Sequence, residues 1–332
     1  MKYKKVVVLL AVAALGIAGC GKGTDTTSTK STSTEAVTLS SSGHATVSTV
    51  DLTEGKYSEE KLDASWDEKS AVKITLNGDS VTADDKNVEV DGRKVTITGA
   101  GTYVLSGTLS DGQIVVDSDD KDSVRLVLNG AEITCSNSSA IWVKDGDTII
   151  TLADGTENTL TDGAEYTTDS EDDEPKAAVY AKDDLTFNGS GSLTVNGNYK
   201  NGIQCKDALK FVSGTYTITA ANNGLVGKDS VSVKDGTYTI TSGGDGIKST
   251  NTDETDQGYV IIDGGTFTIT AEGDGIQAET LLRVNEGDFT ITTGGGSANA
   301  DTAASDNNSS AGSTDTNTPP EKKDPPQGNG GQ

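Results

Sequence analysis

The sequence predicts an all-β protein, a right-handed parallel β-helix wound from coils of about 22 residues. Three observations predict it. A Thr-Tyr-Thr-Ile-Thr unit at 215–219 and 237–241 returns as Thr-Phe-Thr-Ile-Thr at 266–270 and Phe-Thr-Ile-Thr at 289–292. The aromatic residues of these units lie 22, 29 and 22 residues apart, the long step being one coil plus a seven-residue insertion near 251–257. The chain holds 40 glycines and only 5 prolines, and no stretch after residue 20 carries an apolar period of 3.6, so many short strands and turns fit it better than helices.

The elements follow from the N-terminus. Lys2, Lys4 and Lys5 precede an apolar run over residues 6–15 that is too short to span a bilayer and reads as a signal peptide over 1–20. Ala18 and Gly19 before Cys20 match a lipobox. Cys20 is therefore the expected lipidation site, and its two acyl chains would hold the protein at the extracellular face of the cytoplasmic membrane. Residues 21–70, rich in Ser, Thr and Gly, are expected to form a tether, 71–296 the β-helix, and 297–332 a low-complexity tail.

Within each repeat, period-two strands alternate with Gly, Asn or Asp turns. In Thr-Tyr-Thr-Ile-Thr the Tyr and Ile share one face and the threonines the other. A single unit cannot bury that apolar face, but stacked copies can. Stacking lines up Tyr216, Tyr238, Phe267 and Phe289 in one inward file, Ile203, Leu225, Ile247 and Ile276 in a second, and Leu209, Val231, Val260 and Leu282 in a third. Three files imply three sheets, and the right hand follows from the chirality of parallel crossovers. Strands before Val124 can cap the first coil; the polar tail offers no cap for the last.

Charge and composition exclude whole classes of function. The net charge is −25, and loss of the three signal-peptide lysines takes it to −28, which repels nucleic acid and bare anionic lipid. The one histidine, His44, lies in the tether, which removes Ser-His-Asp and Cys-His catalysis and His-ligated zinc. Cys135 and Cys205 read as small buried thiols, with a disulfide as the alternative.

Four features could carry chemistry. Asn201, Asn223, Asp245 and Asp274 each precede a glycine and stack along one edge; they either supply turns or, with Asp207 and Asp229, offer oxygen ligands to Ca²⁺. Lys144-Asp145, Lys182-Asp183, Lys206-Asp207 and Lys228-Asp229 form a second file. It either neutralises charge between coils or presents Lys182, Lys206 and Lys228 to a carboxylated sugar. The acidic run at 169–174 reads as a solvated loop or a weak calcium loop. The outward threonines suit a solvent-facing sheet or an ordered surface. Trp66 and Trp142 are too few and too separated to predict an aromatic sugar platform.

Several segments in order resemble a family of clostridial cell-surface β-helix proteins described as carbohydrate-binding. They are Ile-Thr-Leu-Asn-Gly at 74–78, Gly-Thr-Tyr-Val-Leu-Ser-Gly-Thr-Leu-Ser-Asp-Gly-Gln-Ile-Val-Val at 101–116, Leu-Val-Leu-Asn-Gly at 126–130, Thr-Leu-Ala-Asp-Gly-Thr-Glu-Asn-Thr-Leu at 151–160, and the Asp-Gly-Ile coils. The resemblance covers about residues 70–297. It implies a right-handed parallel β-helix related to family 9 pectate lyases, bound calcium, and binding of cellulose and acidic plant polysaccharide without established cleavage. Family members often continue past residue 299 with further coils, so the distal coils are expected to be missing here.

The leading expectation is thus a monomeric, non-catalytic surface lipoprotein that binds polysaccharide with the help of Ca²⁺, with no catalytic residue assigned. A calcium-dependent pectate lyase using Lys206 or Lys228 as base is the enzyme alternative. An adhesin or ice-binding surface on the threonine face is the structural one.

Overall fold

The computed structural model describes residues 55–167 and 175–294, with residue 52 and a short antiparallel pair, Val37–Leu39 and Ala45–Val47. The expected signal peptide, Cys20, most of the tether, the acidic run at 169–174 and the tail at 297–332 lie outside the described residues.

The repeats wind as a parallel β-helix. One coil contains Asn201–Cys205, Ala208–Phe211 and Thr215–Ala220. The next contains Leu225–Gly227, Ser230–Val233 and Thr237–Ser242. Ile247–Ser249, Tyr259–Ile262 and Thr266–Ala271 follow, then Ile276–Gln277, Leu281–Val284 and Asp288–Thr293. First strands stack on first strands, second on second and third on third, all in parallel. We term the three resulting faces A, B and C.

The three expected inward files stand in register. Tyr216, Tyr238, Phe267 and Phe289 are successive partners on face C, with ring centroids 5.1, 4.7 and 4.7 Å apart. Ile203, Leu225, Ile247 and Ile276 pair on face A, and Leu209, Val231, Val260 and Leu282 on face B. Strand Thr215–Ala220 alternates exposed and buried residue by residue, which is the period-two pattern driving its threonines outward and its Tyr and Ile into the core.

Nearer the N-terminus, faces B and C are continuous. Gly101–Leu109 and Val124–Thr134 each run through both. The first bends at Gly107, where φ is +95° and a Cβ would sit 2.3 Å from the Leu76 carbonyl. Only glycine fits that corner. Two antiparallel hairpins close this end, Val72–Gly78 with Val81–Ala83 and Val88–Asp91 with Lys94–Ile97, which is the cap the sequence called for. At the other end Leu282, Val284 and Ile291 are 45, 47 and 43% exposed, because no coil among the described residues lies beyond theirs.

One boundary differs from expectation. Residues 55–70, assigned to the tether, are docked against the outside of face B as a strap. Its single helical turn, Glu59–Leu62, starts at an N-cap, Ser58. Lys61 reaches between Asp147 and Asp184 at 3.0 and 3.2 Å. Asn188 donates to the carbonyls of Lys61 and Asp63, and Arg125 donates to that of Glu60. Further up, Gly55 N–H donates to Asp263. Mostly polar contacts hold this segment, with Trp66 packed on Val104, Val127 and Ala153, so it leaves no apolar periodicity in the sequence.

Candidate functional site

Each coil turns three corners, and each corner stacks one kind of residue. The C-to-A corner stacks the Asn/Asp-Gly turns. Here Asn201 Oδ1 accepts the main-chain N–H of Asn223 at 3.1 Å, Asn223 Oδ1 that of Asp245 at 2.8 Å, and Asp245 Oδ1 that of Asp274 at 2.7 Å. Asn201 also donates to Gln204, and the second oxygen of Asp245 pairs with Lys248 at 2.8 Å. The oxygens expected to face a cation are directed along the edge at the next coil's N–H groups. The side-chain oxygens of Asn201, Asn223 and Asp245 are thereby engaged in holding turns together, while the Asp274 carboxylate takes no such bond among the described residues.

The A-to-B corner stacks the Lys-Asp pairs. The main-chain N–H groups of Lys182, Lys206 and Lys228 donate to the carbonyls of Val143, Ala181 and Cys205 one coil below. The three lysines therefore form a file with a rise of about 4.8 Å per step. Lys206 and Lys228 are exposed. Neither forms a salt bridge among the described residues, so at these two rungs the ammonium groups are not neutralised by direct pairing. Lys144, one rung earlier, lies 4.6 Å above the ring of Trp142 and 3.8 Å from Asp117. The insertion ends the file, since Thr250 and Asn251 occupy the rung after Lys228 and donate to its carbonyl.

Beside the lysines runs a file of carboxylates. Asp183 accepts from the N–H groups of Gly146 and Asp184, and Asp229 accepts from Asn251 at 2.8 Å. Asp207 lies between them. Partial burial, then the negative charges of Asp229, Asp183 and Asp184, push its carboxyl above the usual aspartate range, with Lys228 opposing. Repulsion of this kind fits a divalent cation in charge, although no three such side chains among the described residues close on a common point.

The B-to-C corner is built from glycines. Gly189, Gly214 and Gly236 turn with φ of +101°, +121° and +130°. Together with Trp66 of the strap they line a cleft of about 730 Å³. Neither the strap nor this cleft was visible in the sequence, where Trp66 stood alone.

On face C the threonines form regular outward files. Thr194, Thr217, Thr239, Thr268 and Thr290 are successive partners, flanked by Thr219, Thr241, Thr270 and Thr292. Cys135 and Cys205 are both buried free thiols, and burial pushes each thiol above its ordinary value. The disulfide alternative is thereby removed.

The fold and its charged corner define a parallel β-helix with an exposed cationic file on an acidic body. Comparison with known proteins gives the family: residues 91–318 match that of carbohydrate-binding domain-containing proteins, and the chain belongs to it. It is 43% identical over 226 residues to a carbohydrate-binding domain-containing protein of Acetivibrio thermocellus, covering 67% of this chain and 79% of the relative. It is also similar to a solved gadolinium derivative of the polysaccharide lyase-like protein from C. thermocellum, with 38% identity and a TM-score of 0.63, over 66% of this chain and 100% of that one.

Proposed function

We propose that the protein is a non-catalytic binder of acidic polysaccharide and that the lysine file at the A-to-B corner is where the polymer lies. The observation that carries this reading is the pair Lys206 and Lys228. They are exposed, stacked in register and without a salt-bridge partner among the described residues, in a chain of net charge −25. Two ammonium groups one coil apart meet successive carboxylates of a uronate chain, and Lys182 extends the file. Such contacts are charge-assisted and favour an acidic over a neutral glycan.

Calcium belongs to the proposal at the same corner. Asp207 and Asp229 would supply part of its oxygen shell, and the uronate carboxylate would complete it. A cation held in this way lets an acidic protein hold an acidic polymer. Lipid anchoring through Cys20 at the extracellular face of the cytoplasmic membrane is likewise proposed, and it suits capture of a polymer outside the cell.

Electrophoresis of the chain through a gel containing polygalacturonate tests this reading. Retardation is expected with Ca²⁺, reduced by EDTA, and lost in Lys206→Glu/Lys228→Glu. Equal mobility of that variant and the parent in the polymer gel would refute the assignment. New absorbance from unsaturated chain ends, growing with time and absent in Lys206→Ala, would replace binding with lyase chemistry.

A further inference from the structure

We infer that the N-terminal hairpin, Val37–Leu39 with Ala45–Val47, docks on the open end of the solenoid and closes its last coil. The contact is internal to the chain and lies apart from the lysine file. It supplies the second cap that the polar tail does not offer.

The surface to be covered is the cross-section of the core. Leu282 and Val284 continue inward files of face B, and Ile291 continues one of face C. They are nonetheless exposed, and they make up three of the five exposed large hydrophobic residues among the described residues. Half-buried Ile276 and Phe289 stand beside them. Strands Ile276–Gln277, Leu281–Val284 and Asp288–Thr293 each lie at the end of their stack, so each presents an unpaired main-chain edge to which another strand can be added.

The strap carries the chain to this end. From Trp66 it climbs face B past Lys61 to Tyr57, whose ring lies 5.6 Å from the Lys234 ammonium. It then reaches Gly55, whose N–H donates to Asp263 at 2.9 Å. The other oxygen of Asp263 accepts from Asn285 of the last coil at 2.7 Å. Gly55 is thus pinned one coil below the open end. Val47 lies eight residues before it, a link that can span about 27 Å. Ile291 lies six residues beyond Asn285, at most about 20 Å away, so the whole end is within the hairpin's reach.

The hairpin has the matching pattern. Val37 stands opposite Val47, Leu39 opposite Ala45 and Thr38 opposite Thr46. Opposed residues of an antiparallel pair share a face and successive residues alternate, so this register places the four apolar residues on one face and the threonines on the other. Two strands of three residues are not stable alone and need an apolar surface to pack on. Charge also selects this occupant. The last coil carries Glu279, Glu286 and Asp288 against Arg283, which opposes the same acidic end of a second copy, whereas residues 36–50 contain no Asp or Glu. Residues 295–332 contain no Val, Leu, Ile, Met or aromatic residue and have nothing to lay on an apolar end.

Amide hydrogen exchange of the full chain tests the docking, with residues 281–293 as one reporter and 37–47 as the other. Val37→Asp/Val47→Asp puts charge on the docking face, and exchange in 281–293 is expected to quicken about tenfold while 237–242 stays unchanged. Ile291→Asp alters a side chain that is already exposed, and it is expected to quicken exchange in 37–47 by a similar factor. Val90→Asp, exposed to a similar degree at the opposite end, is expected to change neither reporter. Equal exchange of 281–293 in the parent and in Val37→Asp/Val47→Asp would overturn the inference. So would exchange in 37–47 that Ile291→Asp leaves unaltered. Protection of 281–293 that rises with protein concentration and survives Val37→Asp/Val47→Asp would assign the open end to a second copy instead.

Discussion

The side-chain Oδ1 of Asn223 accepts the main-chain N–H of Asp245 at 2.8 Å, one coil further along the solenoid. This contact satisfies a turn N–H that the parallel ladder does not reach, and it repeats from Asn201 to Asn223 and from Asp245 to Asp274. Asn223→Ala is expected to lower unfolding stability by about 1–3 kcal/mol, the usual cost of orphaning a partly buried donor. Asn223→Asp keeps the acceptor and is expected to cost less. Urea titration with EDTA and with Ca²⁺ checks both points. If this corner is held by hydrogen bonds, the Asn223→Ala loss is the same in either condition; a loss seen only with Ca²⁺ would restore the metal reading.

The aromatic file on face C allows a graded test. Tyr238 is stacked between Tyr216 and Phe267, 1% exposed, and its hydroxyl donates to the Asp235 carbonyl. Tyr238→Ala is expected to cost about 3–5 kcal/mol, the range for deleting a buried aromatic ring. Among the described residues Phe289 contacts a ring on one side only, and it is partly exposed, so Phe289→Ala should cost clearly less. Tyr238→Phe removes only the hydroxyl, which Phe267 lacks in the next rung, and should cost about 1 kcal/mol. Denaturant midpoints at unchanged slope decide the order.

These files explain why so much of the fold was legible. A solenoid writes its contacts into sequence at a fixed interval, so the partners of Tyr216 and Ile203 can be read from spacing alone. The lysine file was legible for the same reason. The function of the Asn/Asp corner was not, because a turn amide that bonds to the next coil and one that binds a cation have the same sequence. The strap was invisible on different grounds. Asp147 and Asp184 lie 86 and 123 positions from Lys61, Lys61 belongs to no repeat, and Trp66 gains meaning only when the strap brings it to the same cleft as Gly214. The bend at Gly107 was likewise hidden, since nothing local to that glycine names Leu76 as its neighbour.

Docking of the strap depends on pH with a sign set by each group. Burial disfavours the Lys61 ammonium, but Asp184 and Asp147 outweigh burial and hold it above the ordinary lysine value of 10.5. Its contribution is full below that value and is lost as pH rises through the raised one. Asp184 is also disfavoured by burial, yet Lys210 and Lys61 hold it below 3.8. Its contribution is present above 3.8 and is lost as pH falls through the lowered value. Asp147 has the opposite sign. Burial raises it against the pull of Lys61, so its contribution is present below 3.8 and lost as pH rises through its own raised value. Trp66 fluorescence in the Trp142→Phe protein is expected to hold steady near neutrality and shift to the red toward either extreme. Asp147→Asn should loosen the strap less than Asp184→Asn. A flat emission profile in Lys61→Met and parent alike would show that the pairs do not hold the strap.

Calcium-assisted retention should follow the ionisation of Asp207. Burial and the carboxylates of Asp229, Asp183 and Asp184 raise its proton affinity, and only the deprotonated carboxylate binds a hard cation. As pH falls through the raised value, Asp207 takes up a proton and the Ca²⁺-dependent part of the polygalacturonate retardation is expected to fall away. The part due to Lys206 and Lys228 persists, because it does not pass through Asp207. Asp207→Asn should behave at neutral pH as the parent does in acid, retaining the polymer weakly and equally with and without EDTA. Affinity electrophoresis across a pH series checks this, with Asp245→Asn as the comparison. Loss of the calcium response in Asp245→Asn but not in Asp207→Asn would move the cation to the C-to-A corner.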